Sequence, residues 1–558
     1  MSADDVPDRG DDTRPTEGDA DDGSGRYAFW ADAAADRIEA REPDEPIVVK
    51  GGVSPSGVPH VGHANEILRG YYVAAVLRDR GHEVRQVFTS DDRDPLRAVP
   101  RTLMDLDGTL VGLDAVDASA LGRNLGKPLT DVPDPFGCCD SFGDHQTELL
   151  RRAADLLAVP VEFVSMTDRY ETGEMDDEIG TVLSRLDVAR DIIASYQDTA
   201  GDEYAPFRPI CAECGTYTRT VTAVDVEAGT VEYVCDGLRA GDRDIEGCGH
   251  EGTATVREGK LAWRFEWPAQ WADLAVDFEP FGKDHAEGSW PSGKEIARRV
   301  FDADPPEPLV YEGFTVDGEA LSSSGGTVLT VDEVLDLVDP AVLRYFFVRN
   351  PNKQRDFDTV GIDGLVERFD RFENQYFGRA DGTDRELALA ERAYPFVVET
   401  VDPDRFRLPY TFAAVLGMTD DPAVREDIAG KEGHVPDDAP EWAIEAAFER
   451  VDRARTWAAR TGNEYDYELK RSAMPDVEFA PAVEAALDDV AAVVADGADG
   501  EAIQAEIYEA ADRHGIDAAD LFAAGYRLFF DDEQGPRLGP FLAKLNREFV
   551  AERLRRER

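Results

Sequence analysis

The sequence has few cysteines, few basic residues and no long apolar segment, and each shortage narrows what this chain of 558 residues can be. No apolar run reaches the roughly 18–20 residues that a membrane-spanning helix needs, so we expect no membrane anchor. Residues 1–26 are acidic and contain no apolar signal-peptide core, which predicts a disordered tail on a cytoplasmic protein. The chain is too long to fold around one hydrophobic core, which predicts three or more domains.

Basic residues are outnumbered, with 59 Lys and Arg against 116 Asp and Glu and a formal net charge of −57. An acidic partner surface and adaptation to multimolar salt both explain such an excess. Because the acidic residues are spread through every segment, we interpret the chain as halophilic, with self-repulsion screened within about 3 Å at 1 M salt. A nucleic-acid partner stays possible, since a local basic groove can exist inside an acidic envelope.

The order of apolar segments predicts an α/β domain. "PIVVKGGVSPSG" is typical of a buried strand that ends in a glycine-rich turn, and a helical and a second strand pattern follow it. This βαβ order predicts an open parallel sheet of Rossmann type. We expect a first half-domain over 27–125, a cysteine-bearing insertion over 126–260, a second half-domain over 261–355 and an all-helical region over 356–558.

Six cysteines fall into two groups inside the predicted insertion. In a reducing compartment such groups indicate metal binding before disulfides. In the first group, one carboxylate, two thiolates and one imidazole can surround a tetrahedral zinc ion. In the second, Cys248 and His250 compete as the fourth ligand. The predicted ligands are Asp134, Cys138, Cys139 and His145 for one zinc, and Cys211, Cys214, Cys235 and Cys248 for the other.

The segment "PSGVPHVGH", residues 55–63, lies where the first strand turns into the first helix. Free N–H groups and the helix dipole at such a turn favour a phosphate group. Gly57 and Gly62 allow a tight turn and a close approach to a ligand. His60 and His63 share one helical face, where imidazoles can donate to phosphate oxygens as charge builds in a transition state.

This segment resembles the HIGH signature of class I aminoacyl-tRNA synthetases, and "ALSSSGG" stands where that family has its mobile KMSKS loop. Further stretches, "PDPFGCCDSFGDH", "DFEPFGKDH", "GKEI" and "RNPNK", resemble the archaeal-type class I lysyl-tRNA synthetases over residues 27–375. The resemblance implies activation of L-lysine with ATP and Mg²⁺ and transfer of lysine to the tRNA that decodes it. It also implies a helical region that reads the anticodon.

The resemblance implies roles for individual residues. The catalytic residues that the resemblance implies are His60, His63, Ser322, Ser323 and Ser324. Its ATP-binding residues are Pro55, Ser56, Gly57, Gly62, Lys283, Leu321 and Gly325. Its lysine-binding residues are Gly52, Ser54, Trp271, His285 and Tyr311, although Lys283 and His285 both fit either ligand. Tryptophans and carboxylates in "WPAQWADLAVDFEPFG" support a pocket for an ammonium group.

The serine-rich loop departs from the family pattern, because Ala320 and Gly325 stand where lysines usually flank it. Three alternatives could replace that charge. Serine hydroxyls and glycine N–H groups could bind the phosphates as neutral donors. Mg²⁺ could supply positive charge, or Lys283 could supply it together with an arginine. Loss of the activation step is the remaining explanation.

Three other functions remain open at this point. A class I synthetase for glutamate or a neutral amino acid would keep the same fold. A small-molecule nucleotidyltransferase would need no helical region of this size. A non-catalytic, zinc-containing tRNA-binding protein would leave the histidine motif without a purpose.

Overall fold

A computed structural model describes residues 27–196, 204–240, 243–320, 328–471 and 474–557. The predicted acidic tail, residues 1–26, lies outside these ranges. Within them the strands are β1 (Ile47–Val53), β2 (Val84–Ser90), β3 (Thr102–Met104), β4 (Leu110–Gly112), β5 (Glu162–Ser165), β6 (Phe207–Pro209), β7 (Thr220–Asp225), β8 (Thr230–Val234), β9 (Gly237–Ala240), β10 (Arg243–Glu246), β11 (Glu251–Thr255), β12 (Gly259–Leu261), β13 (Phe278–Gly282), β14 (Glu307–Tyr311), β15 (Phe314–Val316), β16 (Glu319–Ala320) and β17 (Arg355–Phe357).

The described helices connect these strands and then continue alone. They are α1 (Trp30–Glu39), α2 (Val61–Asp79), α3 (Ser119–Arg123), α4 (Phe142–Leu156), α5 (Met166–Thr172), α6 (Asp176–Ser184), α7 (Leu186–Ala194), α8 (Trp263–Leu274), α9 (Lys283–Glu287), α10 (Trp290–Val300), α11 (Val331–Leu335), α12 (Pro340–Val348), α13 (Ile362–Tyr376), α14 (Asp384–Val397), α15 (Tyr410–Leu416), α16 (Pro422–Lys431), α17 (Glu441–Thr461), α18 (Pro481–Ala495), α19 (Gly500–His514), α20 (Ala518–Phe530), α21 (Leu538–Lys544) and α22 (Arg547–Leu554). None of these helices combines the length and the apolar character needed to cross a membrane.

The central sheet has five parallel strands in the order β14-β13-β1-β2-β5. Its middle strand, β1, is buried along the apolar run at its start, as the sequence predicts. From β1 the chain moves through α2 to β2 on one side, while β13 lies on the other side. Ligands bind at the carboxyl ends of strands where the strand order reverses in this way. The predicted α/β fold with a parallel sheet is confirmed, and the site is expected at the ends of β1 and β13.

One strand of this sheet lies inside the segment that we predicted to be an insertion, residues 126–260. Strand β5 pairs with β2 in parallel, with Val87 opposite Glu162 and Ser90 opposite Ser165. Its sequence, "EFVS", lacks the apolar run of a central strand because it forms the edge of the sheet and is only partly buried. The two cysteine groups therefore stand on either side of a sheet strand and do not form one continuous insertion.

Beyond β17 the described residues form helices and connecting segments, and α12 packs on α2, α13 and α14. One hydrophobic core runs from Phe29 in front of α1 to Leu554 at the end of α22. Arg392 on α14 pairs with Asp79 at the end of α2 (2.6 Å) and with Asp32 on α1 (2.9 Å). The helical region is therefore packed directly against the helix that carries the histidine motif.

Candidate functional site

Helix α2 begins with a reciprocal cap formed by the two motif histidines. His60 has an extended backbone, and its Nδ1 accepts a hydrogen bond from the Gly62 N–H (3.0 Å). The Nδ1 of His63 accepts in turn from the His60 N–H (3.0 Å). A Cβ on Gly62 would lie 2.6 Å from the His60 ring, so glycine is needed there. The His-x-Gly-His spacing is thus the local cause of the helix start.

Burial and the cap together determine the protonation state and the tautomer of both imidazole rings. Burial lowers the pKa of His60 to about 4 and the pKa of His63 well below its usual value, so both rings are neutral near pH 7. Because each Nδ1 accepts a hydrogen bond, the ring proton is on Nε2 in each. The rings stack with centroids 4.2 Å apart. Two neutral N–H donors therefore stand side by side at a helix N-terminus, where a phosphate is favoured.

A carboxylate that the sequence analysis missed lies one helical turn further along α2. Glu66 accepts from the Gly52 N–H through Oε1 (2.8 Å) and from the Tyr311 hydroxyl through Oε2 (3.1 Å). Burial raises the pKa of Glu66 to about 7. A Cβ on Gly52 would lie 2.1 Å from the Thr89 hydroxyl, so the backbone at this point cannot carry a side chain. Glu66 thus accepts hydrogen bonds from both Gly52 and Tyr311, two of the predicted lysine-binding residues.

The predicted lysine-binding residue Trp271 lies close to a second carboxylate. Its ring is 4% exposed, and its indole N–H and that of Trp267 both donate to Glu279. Glu279 also forms a buried ion pair with Lys50 (2.7 Å). Since Lys50 already balances this charge, Glu279 has no need of a further cation. Of these two carboxylates, Glu66 is the one that remains available to a cation.

The predicted residues of the "GKDH" segment stand at the carboxyl end of β13, next to β1. Lys283 is exposed and pairs with Glu312 (2.9 Å). His285 is exposed, has Nδ1 3.2 Å from the Ser289 hydroxyl and lies 5.4 Å from the Trp267 ring. The assignment of these two side chains to ATP or to lysine stays a prediction.

The predicted turn between β1 and α2 is short and tightly bonded. The Ser56 N–H donates to the Ser54 carbonyl (2.8 Å). Pro55 is buried, whereas Ser56 is exposed. Gly57 has open space where a Cβ would stand. The turn thus leaves room above its backbone for a ligand.

The predicted loop residues Leu321, Ser322, Ser323, Ser324 and Gly325 lie outside the described residues. The chain enters this segment from β16, which pairs with β15. After it, the carbonyl oxygen of Leu329 accepts from the Val61 N–H (3.0 Å). Thr330 then caps α11 reciprocally with Glu333. The described chain that follows the segment therefore lies at the N-terminus of α2.

The first group of predicted zinc ligands converges. Ligand atoms of Asp134, Cys138, Cys139 and His145 all lie within 4.8 Å of one another. The Nε2 of the buried His145 is 2.8 Å from the Met104 carbonyl, which assigns the proton to Nε2 and leaves the Nδ1 lone pair free for a metal. That Nδ1 is 3.3 Å from the Cys138 sulfur and 3.4 Å from an Asp134 oxygen. The donor set fits a tetrahedral zinc ion.

The second group converges as well. The four sulfurs of Cys211, Cys214, Cys235 and Cys248 lie within 4.8 Å of one another. The Cys211–Cys248 and Cys214–Cys235 sulfur pairs are each 3.7 Å apart. Zn–S bonds of about 2.3 Å in a tetrahedron give sulfur separations of about 3.8 Å, which matches. Cys248 therefore completes the set, and the rival His250 contributes its backbone carbonyl to the Cys235 N–H (2.8 Å).

A buried lysine links the segment of the second zinc group to the turn before α2. Lys260 on β12 lies 2.5 Å from Asp94 and 2.6 Å from Glu266. The positive charge of Lys260 lowers the pKa of Asp94, and the Ser54 hydroxyl in the turn before α2 lowers it as well.

Comparisons with known proteins show what this chain is similar to. The sequence matches the family described as tRNA synthetases class I (K) over residues 28–398. It is 65% identical over 529 residues to a lysine–tRNA ligase of Haloarcula marismortui, covering 95% of this chain and 97% of the relative. A lysine–tRNA ligase of Pyrococcus horikoshii is 33% identical over 552 residues, covering 95% and 99%. A solved glutamate–tRNA synthetase of Elizabethkingia anophelis has a TM-score of 0.38 at 12% identity, covering 92% and 99%.

Proposed function

The chain belongs to the lysine-type class I tRNA synthetases, and we propose that it activates L-lysine with ATP and transfers it to the tRNA that decodes lysine. The observation that carries this function is the 65% identity to a lysine–tRNA ligase over 95% of the chain. In the first step the lysine carboxylate attacks the α-phosphorus of ATP, which forms lysyl-adenylate and releases pyrophosphate. In the second, a terminal tRNA hydroxyl attacks the adenylate carbonyl carbon, which releases AMP.

His60 and His63 are the residues that we assign to the ATP phosphates. Each presents an Nε2–H group at the N-terminus of α2, and each is held by its own Nδ1 hydrogen bond. Negative charge grows on the phosphate oxygens as the bond to pyrophosphate breaks. Donors that are already oriented stabilise this charge without reorganising, and such a donor contributes roughly 10²–10³ in rate.

Glu66 is the residue that we assign to the lysine side chain. It has a carboxylate beside the Tyr311 hydroxyl, and none of the cationic side chains that the structure describes forms an ion pair with it. A lysine ammonium would supply that cation through charge-assisted hydrogen bonds. A glutamate substrate would place a second carboxylate next to Glu66. The pocket therefore favours lysine over the glutamate alternative.

The charge that flanking lysines would bring to the serine-rich loop must come from elsewhere. Bound Mg²⁺ would neutralise the triphosphate charge when ATP is present. We assign Ser322, Ser323 and Ser324 to the phosphates as neutral donors, because the chain around them leads to the N-terminus of α2. Lys283 would add a positive charge from the end of β13.

The two cysteine groups would hold two structural zinc ions. Both donor sets supply four protein ligands, which leaves no open position for a substrate. Free thiols of this kind also favour a reducing, cytoplasmic location. We assign the anticodon to the helical region beyond β17.

Pyrophosphate exchange tests the activation step. Purified protein is incubated with ATP, Mg²⁺ and each amino acid in turn at high KCl, without tRNA. Lysine alone is expected to support exchange. Exchange with glutamate and not lysine would favour the alternative synthetase, and no exchange with any amino acid would leave the non-catalytic tRNA-binding alternative.

A further inference from the structure

One face of α4 carries three residues that contact different parts of the catalytic domain. His145, Leu149 and Arg152 are four and three residues apart, so they lie on the same side of this helix. The buried His145 is held at one end of that face, where its Nε2 lies 2.8 Å from the Met104 carbonyl oxygen. Arg152 lies about 10 Å further along the helix axis. We call these three residues the α4 face.

The middle residue of the α4 face packs against both chain segments that meet at the start of α2. Leu149 is buried and shares a small hydrophobic cluster with Val58, in the turn before α2. Val328 packs against the same cluster. Val328 directly precedes Leu329, whose carbonyl oxygen accepts from the Val61 N–H (3.0 Å). The α4 face therefore supports the chain that contacts the first residue of α2.

The last residue of the α4 face forms an ion pair with α11. The Nε and Nη2 groups of Arg152 both donate to one carboxylate oxygen of Asp332, over 3.0 and 2.6 Å. Asp332 is the second residue of α11 and follows Leu329 by three residues. The two side chains are 34% and 19% exposed, so the pair is partly shielded from the salt that screens exposed charges within about 3 Å at 1 M.

The turn between β3 and β4 encloses this ion pair. Gly108 in that turn has a left-handed backbone (φ +94°), and the Asp105 carboxylate holds the turn by accepting from the Thr109 N–H (2.9 Å). A Cβ on Gly108 would lie 2.4 Å from the Asp332 carboxylate and 3.2 Å from the Arg152 guanidinium. A side chain at this position would therefore displace the pair. Helices α4 and α11 and the β3–β4 turn thus meet at Arg152 and Asp332.

We propose that Arg152 and Asp332 are positioning residues for the activation step, because their ion pair sets the place of Leu329 at the start of α2. The proposal rests on the proposed function, in which the histidine motif meets the ATP phosphates. The hydrogen bond from Val61 to Leu329 fixes the backbone directly after His60. A displacement of about 1 Å in such a donor costs up to about 10²-fold in rate, even when the substituted residue lies away from the reacting atoms.

The lysine pocket is held by other elements, which gives this proposal a distinct kinetic signature. Glu66 accepts from Gly52 on β1 and from Tyr311 on β14. Neither of these hydrogen bonds involves α4 or α11. Loss of the ion pair should therefore lower kcat for pyrophosphate exchange and leave the KM for lysine largely unchanged.

Four full-length variants test the ion pair in lysine-dependent pyrophosphate exchange. Arg152→Gln and Asp332→Asn are each expected to lower kcat roughly 10- to 100-fold. The double variant should lose no more than the weaker single variant, since both residues act through one contact. Arg152→Lys keeps the charge and should recover part of the rate. Arg513→Gln breaks the ion pair with Asp489 that joins α19 to α18, and this control should keep the parent kcat.

Amide hydrogen exchange reports on the start of α2 without any substrate. The Val61 N–H is bonded to Leu329 and should be protected in the parent protein. Peptides that span residues 58–66 should take up deuterium faster in Arg152→Gln and Asp332→Asn than in the parent. In Arg513→Gln they should not. Urea unfolding of each variant, measured in parallel, identifies any variant that is not folded.

The outcomes separate this proposal from the proposed function. Parent kcat in both single variants would overturn it, and so would unchanged deuterium uptake at residues 58–66. Additive losses in the double variant would overturn it as well, because the two residues would then act independently. If the parent protein supports no lysine-dependent exchange but the single variants still take up deuterium faster, the proposed function fails and the positioning of α2 stands.

Discussion

The backbone N–H of Val61 donates to the carbonyl oxygen of Leu329 over 3.0 Å. This hydrogen bond joins the first residue of α2 to the chain that follows the serine-rich loop. Val61 directly follows His60, whose ring caps the same helix. Leu329, which follows the serine-rich loop, is therefore a neighbour of the histidine motif in the fold, although the sequence places the two far apart.

Replacing the three loop serines with alanine is expected to slow activation without weakening lysine binding. The hydroxyls are assigned to phosphates and not to the lysine pocket, so kcat for pyrophosphate exchange should fall by roughly 10²-fold. The KM for lysine should change little. Ser195→Ala, at an exposed helix end, is the matched control. A triple variant with the parent kcat would exclude the serines as phosphate donors.

His60→Asn separates capping from catalysis. Asparagine is a preferred N-cap residue, so the midpoint of urea unfolding should stay close to that of the parent. The Nε2–H donor is lost, and exchange should fall by roughly 10²–10³. His60→Ala should lose activity equally and also cost about 1 kcal/mol of stability. Full activity in His60→Asn would mean that the ring only caps the helix.

The pH dependence of lysine binding reports on Glu66. Its pKa is raised by burial to about 7, and a lysine ammonium binds only the ionised carboxylate. As the pH falls below 7, protons compete with lysine, so the KM for lysine should rise towards about ten-fold per pH unit. His60 stays neutral in this range because burial lowers its pKa to about 4. Glu66→Gln should raise the KM for lysine and make it independent of pH between pH 7 and 5. A KM that is constant with pH in the parent would assign the ammonium to another group.

Metal analysis of protein purified without chelators is expected to find two zinc ions per chain. Cys139→Ser and Cys214→Ser should each lose one zinc ion, because they belong to different ligand sets. His250→Ala should keep two, since the sulfur of Cys248 is the atom that converges with the other three sulfurs. Loss of zinc in His250→Ala, or a parent protein without zinc, would contradict these ligand assignments.

The sequence predicted the parts of the site that local pattern determines. The strand, turn and helix around His60 and His63 follow from the apolar order and the glycine-rich turn, and the two converging groups of candidate zinc ligands follow from spacing. Glu66 was missed because its environment depends on Tyr311, which arrives from β14 on the far side of β13. The role of Trp271 likewise depends on its indole bond to Glu279, which no spacing reveals. Strand β5 was missed because an edge strand needs few apolar residues.

Aminoacylation of a transcribed tRNA tests the central claim most directly. Zinc-loaded protein is given ATP, Mg²⁺ and a transcript of the lysine-decoding tRNA at high KCl, with labelled lysine or labelled glutamate in parallel reactions. The account predicts that lysine becomes esterified to the tRNA and that glutamate does not. Charging with glutamate, or no charging by folded protein that binds the transcript, would contradict it.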